Sequence, residues 1–323
     1  MRPKNSDTQS SFIIKSQTLN EETTFSHLTQ NLKVNQMTDH PRFGPAGVPP
    51  LFRMIGAQSF DVPRLLREEE LDAFEYQAVR WGQKPQMKQA DAERLGVEAR
   101  KNDVLISMHG SYYVNLSGKK EVVEASKRRI VACAKAAQWM GAYVVVFHMG
   151  FYGLFEKSYA FKNCVEALKD ITATMNSLGI RNVKLGPETM GRVYQVGTLD
   201  EILAICEEVE QTQLVIDWSH MHARRQGRFR KVEDFRAVVE EVEKRLGTEA
   251  ARTMHCHFSK IEYTDKGERR HHVLDEARYG PDFDMLAEVI AEFKMCPVMI
   301  CETPLLDVDA MKMRDTLRKV MEA

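Results

Sequence analysis

The stretch DVLISMHGSYYVNL, residues 103–116, decides how the rest of the chain is read. Val104, Leu105 and Ile106 form the kind of apolar run that a parallel sheet buries on both faces. The run ends on His109, with Gly110 behind it and Tyr112 and Tyr113 beyond. A lone buried histidine with a satisfied hydrogen bond is the ordinary case. The pattern gains meaning only if other strands end in the same way.

Seven further segments resemble this one. They are FRMIGAQ (52–58), LDAFEYQA (71–78), YVVVFHMG (143–150), NVKLGPET (182–189), QLVIDWSH (213–220), MHCHFSKIEY (254–263) and PVMICETP (297–304). Between them run amphipathic segments with apolar residues at i, i+3, i+4 and i+7, such as 121–141 and 159–179. Gly141 and Gly179 fall where those helices should stop. Eight strands, each followed by a helix, predict a single (β/α)8 TIM barrel over 41–323. A doubly wound open sheet is the alternative, and no second folded domain is expected. Residues 1–40, rich in Ser, Thr, Asn and Gln, read as a mobile polar extension. Met37 offers an alternative start that would leave 1–36 untranslated.

Bulk properties exclude several classes. The net charge of −1 over 323 residues carries no global signal for nucleic acid, so any such binding must be local. Six scattered cysteines without a CxxC pair favour reduced thiols and a cytoplasmic protein. No apolar run reaches the ~20 residues of a membrane span, and no signal-peptide stretch opens the chain.

The strand ends carry the chemistry, because a barrel of this kind places its active site there. In order they present His109, His148, Glu188, Asp217 with His220 and His222, His255 with His257, and Glu302. The segment GERRHHVLDE (267–276) reads as a loop that adds Glu268, His271, His272, Asp275 and Glu276. Singly, each has a plain structural explanation; Asp217, for example, suits a helix N-cap. Together they converge on one mouth, where carboxylates would repel unless cations lie between them. Imidazole and carboxylate donors suit Zn²⁺, with Mn²⁺ and Fe²⁺ as rivals, and their number implies more than one ion. His255 and His257 share a face of their strand. His257 lies nearer the mouth and is the expected ligand, leaving His255 inside the barrel.

SMHGSYYVNL, VVFHMG, GPETMG, VIDWSHMHA, HFSKIEY, RRHHVLDE and ICETP resemble, in order, the motifs of endonuclease IV. That family consists of metal-dependent apurinic/apyrimidinic endonucleases among the xylose-isomerase-like barrels. The resemblance covers roughly 42–306 and implies two or three zinc ions. Carried onto this chain, it places His109, His148 and Glu188 on one metal. Bridging Glu188, Asp217, His257 and Glu302 surround a second, and His220 and His271 take a third. It implies cleavage of the phosphodiester 5′ to an abasic site in double-stranded DNA, by a monomer. Glu188 and Glu302 are then the catalytic carboxylates, Glu188 holding the attacking hydroxide and Glu302 orienting water. Two departures stand out. Arg269 occupies the place of the aspartate that completes the third site, with Glu268 as the nearest substitute. Met149 follows His148 where the family usually has proline.

The same resemblance assigns Tyr112, Tyr113 and Arg80 to the groups that wedge into DNA; packing on the barrel rim is the plain alternative for the tyrosines. HARRQGRFRK (222–231), with Arg224 and Arg225, is a basic run beside the mouth and a candidate phosphate contact. Two other functions stay open: a metal-dependent sugar or sugar-phosphate isomerase or epimerase of the same superfamily, and a barrel that binds nucleic acid without turnover.

Overall fold

Eight parallel strands close on themselves in the computed structural model, which describes residues 38–323. They are β1 (Arg42–Pro45), β2 (Ala73–Gln77), β3 (Leu105–His109), β4 (Val144–Phe147), β5 (Lys184–Pro187), β6 (Val215–Asp217) and β7 (His255–Phe258). A hairpin of β8 (Lys260–Thr264) and β9 (Gly267–His272) follows, and β10 (Val298–Cys301) completes the barrel. Paired neighbours run β2-β3-β4-β5 and β6-β7-β10-β1. Parallel bridges at Ala46–Glu75 and Glu188–Val215 join the two runs into the expected TIM barrel. The expected extension lies, through residue 37, outside the described residues.

The first strand differs from the sequence reading. The segment expected as a strand at 52–58 begins inside the helix Pro50–Met54, and the barrel instead opens on Arg42–Pro45. Pro50 at the first helical turn has the fixed φ that a helix start wants. The true strand, RFGP, has no apolar run to reveal it. Its Gly44 is required by closure, since a Cβ there would lie 1.7 Å from the Ala73 carbonyl oxygen. A second difference follows β7. MHCHFSKIEY is two strands broken at Ser259, and the expected loop at 267–276 supplies β9.

Side chains alternate about the barrel wall. Ile106, Met108, Val145, Phe147 and Leu185 face outward and pack with Ile130, Ala134, Leu168 and Ile171 of the helices. Each large aliphatic group buried there contributes about 1.5–3 kcal/mol. Inward positions form layers. Glu75 pairs in register with Ser107, and Gln77 with His109, while Val144, Val146 and Val215 fill another part of the interior. The helix Lys120–Met140 ends on Gly141 in the left-handed conformation (φ 71°), and Gly179 (φ 73°) follows the helix Lys157–Ser177. All six cysteines are unpaired, and no described helix is long and apolar enough to cross a membrane.

Candidate metal centre

Glu188 is the hub of the mouth. It follows β5 directly and is fully buried. Its Oε2 lies 3.1 Å from His148 Nε2 and 3.6 Å from His109 Nε2. Its Oε1 lies 3.2 Å from His220 Nδ1 and 3.3 Å from His257 Nδ1. Glu302, just past β10, brings Oε1 to 3.3 Å from the same His257 nitrogen. Asp217 ends β6 and has two tasks. Its Oδ1 accepts the His220 amide at 2.7 Å, capping the helix Trp218–Arg224, while Oδ2 turns toward the His220 ring. The N-cap and the site explanation of Asp217 are therefore compatible.

Ligand-type atoms gather into neighbouring groups. One is His109, His148 and Glu188; another is Glu188, Asp217 and His257; a third is His220, His271 and Glu302. In each, the donor atoms lie within 4.8 Å of one another. The first two share Glu188, as a bridging carboxylate requires.

Charges in this cluster are unbalanced without cations. Burial pushes Glu188 up, yet the His257 and His148 imidazoles hold it well below the usual carboxylate range. Burial would depress His257, but Glu75, Glu302 and Glu188 carry it well above an ordinary histidine. His220 is likewise raised well above against burial, by Asp217, Glu268 and Glu188. Burial pushes Glu302 up to about 7. Protons thus sit where cations would. Hydrogen bonding leaves the same gap: both Glu188 oxygens, Asp217 Oδ2, His257 Nδ1 and Glu268 Oε2 are buried without a hydrogen-bond partner. Buried polar atoms are seldom left so, and orphans of both donor types facing one space fit divalent metals of the imidazole–carboxylate kind.

Hairpin β8–β9 answers the substitution at Arg269. Tyr263 pairs with Glu268 and Glu262 with Arg270, which makes Arg269 the extra residue of a β-bulge. A bulge re-aims side chains. Glu268 and His271, three apart, would face opposite sides of a regular strand; here both reach His220. Glu268 Oε2 lies 3.4 Å from His220 Nε2, and the His271 and His220 rings are 5.7 Å apart. Arg269 turns out to solvent and pairs with Glu262 at 2.6 Å. Gly191 opens the way for Glu268, because a Cβ there would lie 2.6 Å from that of Glu268.

Other expected residues fall elsewhere. His222 accepts the Phe229 amide and packs under that ring. His272 stacks on Tyr279, and Asp275 pairs with Lys312. Arg224 corrects the expectation of a phosphate contact. Its terminal nitrogens bond the carbonyls of Met190, Arg192, Val193 and Gln195 and the Tyr152 hydroxyl. It is a strut for the loop after β5, and no terminal nitrogen is left over for a ligand. Arg225 is exposed, as is Arg80 after β2. Tyr112 stacks on His148 with ring centroids 5.3 Å apart, and its amide bonds Val79 next to Arg80. Tyr113 is 59% exposed. One residue was missed: Glu75, fully buried in β2, lies 3.2 Å from both His255 and His257. Its signal was a charge at an inward position of an apolar strand.

Comparison with known proteins agrees with this architecture. A family model described as xylose isomerase-like TIM barrel matches residues 63–320. The chain is 34% identical over 269 residues to an uncharacterised protein of Methanocaldococcus jannaschii, covering 83% of this chain and 93% of that one. It is 25% identical over 170 residues to a probable endonuclease 4 of Persephonella marina, covering 51% of this chain and 58% of that one. Among solved structures, endonuclease IV of Thermus thermophilus aligns with a TM-score of 0.62 at 18% identity, over 82% and 94% of the two chains. A D-psicose 3-epimerase of Clostridium cellulolyticum aligns with a TM-score of 0.57 at 14% identity, over 83% and 95%. Both likenesses establish the barrel and nothing finer.

Proposed function

We propose that this chain, which belongs to the xylose isomerase-like TIM barrel family, is a metal-dependent endonuclease that cuts double-stranded DNA 5′ to abasic sites. One observation carries the reading: two ligand groups that share Glu188 stand beside a third, His220, His271 and Glu302, toward which the bulge at Arg269 turns Glu268. Several ions in one mouth suit phosphoryl transfer, where attacking and leaving oxygens both need a positive partner. The probable endonuclease 4 relatives point the same way.

His109, His148, Glu188, Asp217, His220, His257, Glu268, His271 and Glu302 would hold two or three Zn²⁺ ions, or Mn²⁺ or Fe²⁺. Bound there, the metals would supply Lewis acidity, neutralising the phosphate charge and making water nucleophilic near neutral pH. Glu188 orients the imidazoles around it and keeps its charge because two of them flank it. Glu302, pushed up to about 7, can accept or return a proton beside the scissile bond. Tyr112 and Tyr113 on the rim would fill the gap left when the sugar leaves the helix, with Arg80 beside them. Arg225 would contact phosphate.

A second reading is favoured by the epimerase likeness: the same mouth could take a small polyol, with Glu188 and Glu302 moving protons. A duplex oligonucleotide with one abasic site decides between them. The expected result is a chelator-sensitive nick that leaves a 3′-hydroxyl and is absent from Glu188→Gln. Fully metallated protein that leaves the duplex intact would end the nuclease reading. Turnover of a ketose instead would install the second.

A further inference from the structure

Beneath the metal cradle lies a second polar layer without an assigned task. Its centre is Glu75, whose carboxylate accepts four hydrogen bonds. They come from Gln77 Nε2 (3.0 Å), Ser107 Oγ (3.0 Å), His255 Nε2 (3.2 Å) and His257 Nε2 (3.2 Å). Tyr143 closes the layer from the far side through a hydrogen bond to His255 Nδ1. Glu75, Ser107, His255 and His257 are at most 1% exposed.

An ionised carboxylate only accepts, so each histidine must present an Nε2–H to it. A histidine must be neutral to ligate a metal, and a neutral imidazole carries one N–H, which makes Nδ1 of each ring a lone pair in that state. On His255 that lone pair takes the Tyr143 hydroxyl proton. On His257 it faces Glu188 Oε1 and Glu302 Oε1, both at 3.3 Å, and neither can donate when ionised. His257 Nδ1 is indeed a buried atom without a hydrogen-bond partner. A cation is the partner that satisfies the lone pair and both oxygens at once.

We propose that Glu75 is the positioning residue of the metal centre. It fixes His257 as the Nε2–H tautomer, aims Nδ1 at the metal shared with Glu188, and is itself propped by the Tyr143–His255 pair. The inference rests on the metal centre proposed above and is independent of whether DNA is the substrate. Glu75, His255 and His257 also lie close enough together to hold an ion of their own. Glu75 is already saturated by four donors and His255 by two partners, so the layer acts as a support. An acceptor of this kind makes its imidazole a stronger, better-oriented ligand, and its loss typically weakens metal affinity about 10–100-fold.

The test uses the full chain. Long-range ¹H–¹⁵N correlation of the imidazoles in zinc-loaded protein reads which nitrogen carries the proton, with His257→Asn identifying the signal. His257 should be protonated on Nε2 and coordinated through Nδ1. Chelator-competition titration of Glu75→Gln should then show one zinc weakened about 10–100-fold and the others held. A merely structural glutamate would weaken all ions together. Coordination of His257 through Nε2 would overturn the proposal, as would wild-type affinity at every site of Glu75→Gln. If that variant fails to fold, the tautomer in the wild-type protein decides alone. Wild-type protein that takes up no zinc, Mn²⁺ or Fe²⁺ would remove the metal centre itself, an outcome distinct from either.

Discussion

Loading the centre with zinc at pH 7 should expel between two and three protons, because the metal-free cluster already holds protons in place of metals. Burial works against the charge on His257 and His220, yet the facing carboxylates raise both well above an ordinary histidine, so both are protonated at pH 7. Each must be neutral to ligate. Glu302, pushed up to about 7, is half protonated there and adds about half a proton. Glu188, held well below its usual range, adds none. His109, raised against burial by Glu188 and Glu75, supplies a further fraction. The logarithm of the apparent affinity for the full set should therefore climb by ~2–3 per pH unit near neutrality and flatten above the histidine values. Stability follows with a defined sign. Histidines raised in the folded state stabilise the metal-free protein below the ordinary histidine value, and that contribution is lost as pH rises through the raised values. The melting temperature of metal-free protein should thus fall with rising pH, while that of zinc-loaded protein holds. Isothermal titration in buffers of different ionisation enthalpy counts the protons. Release of fewer than one would refute the reasoning, since the imidazoles would then be neutral before metal arrives.

Arg224 and Arg225 should separate cleanly despite being adjacent. Arg224→Ala removes a partly buried guanidinium from four carbonyls and should cost about 2–4 kcal/mol in denaturant unfolding. Arg225→Ala should leave unfolding unchanged, weaken DNA binding, and lower the salt slope of binding by about one; an unchanged slope would remove Arg225 from the interface. Trp218→Ala should cost about 3–5 kcal/mol, because the ring is fully buried with Phe229 and Phe235 rings 5.4 Å away. Glu69 is pushed up to about 7 by burial and by Asp307. Its folded form binds more protons than the unfolded one between its ordinary value and about 7, so stability falls as pH rises through that window. Glu69→Gln should accordingly melt higher than wild type at pH 8 and no higher at pH 4; equal melting at both would refute that account.

The barrel was legible because eight strand–helix units repeat with clear periods, and the missed first strand marks the limit of that method. RFGP is buried, but Gly44 and Pro45 give no β signal, while FRMIG looks apolar and its first three residues end a helix. Burial by the rest of the barrel, and not local propensity, makes the first segment a strand. The mouth was legible for a different reason: a strand that ends on a histidine or carboxylate advertises it in the sequence. Glu268 and Glu75 were harder. Which residue of GERRHH faces inward depends on a bulge whose register is set across the hairpin. Arg224 looked like part of a basic run until the loop after β5 closed around it.

The sequence by itself therefore determined the architecture and the chemical types gathered at one end of it, since period and strand-end position are properties of neighbouring residues. Only the tertiary structure decided which atoms meet. It turned Glu268 in and Arg269 out, consumed the guanidinium of Arg224 as a strut, and set Glu75 under His257 across 182 residues of chain. Those outcomes depend on register and closure, which arise where distant segments pack, and no local stretch of sequence carries them.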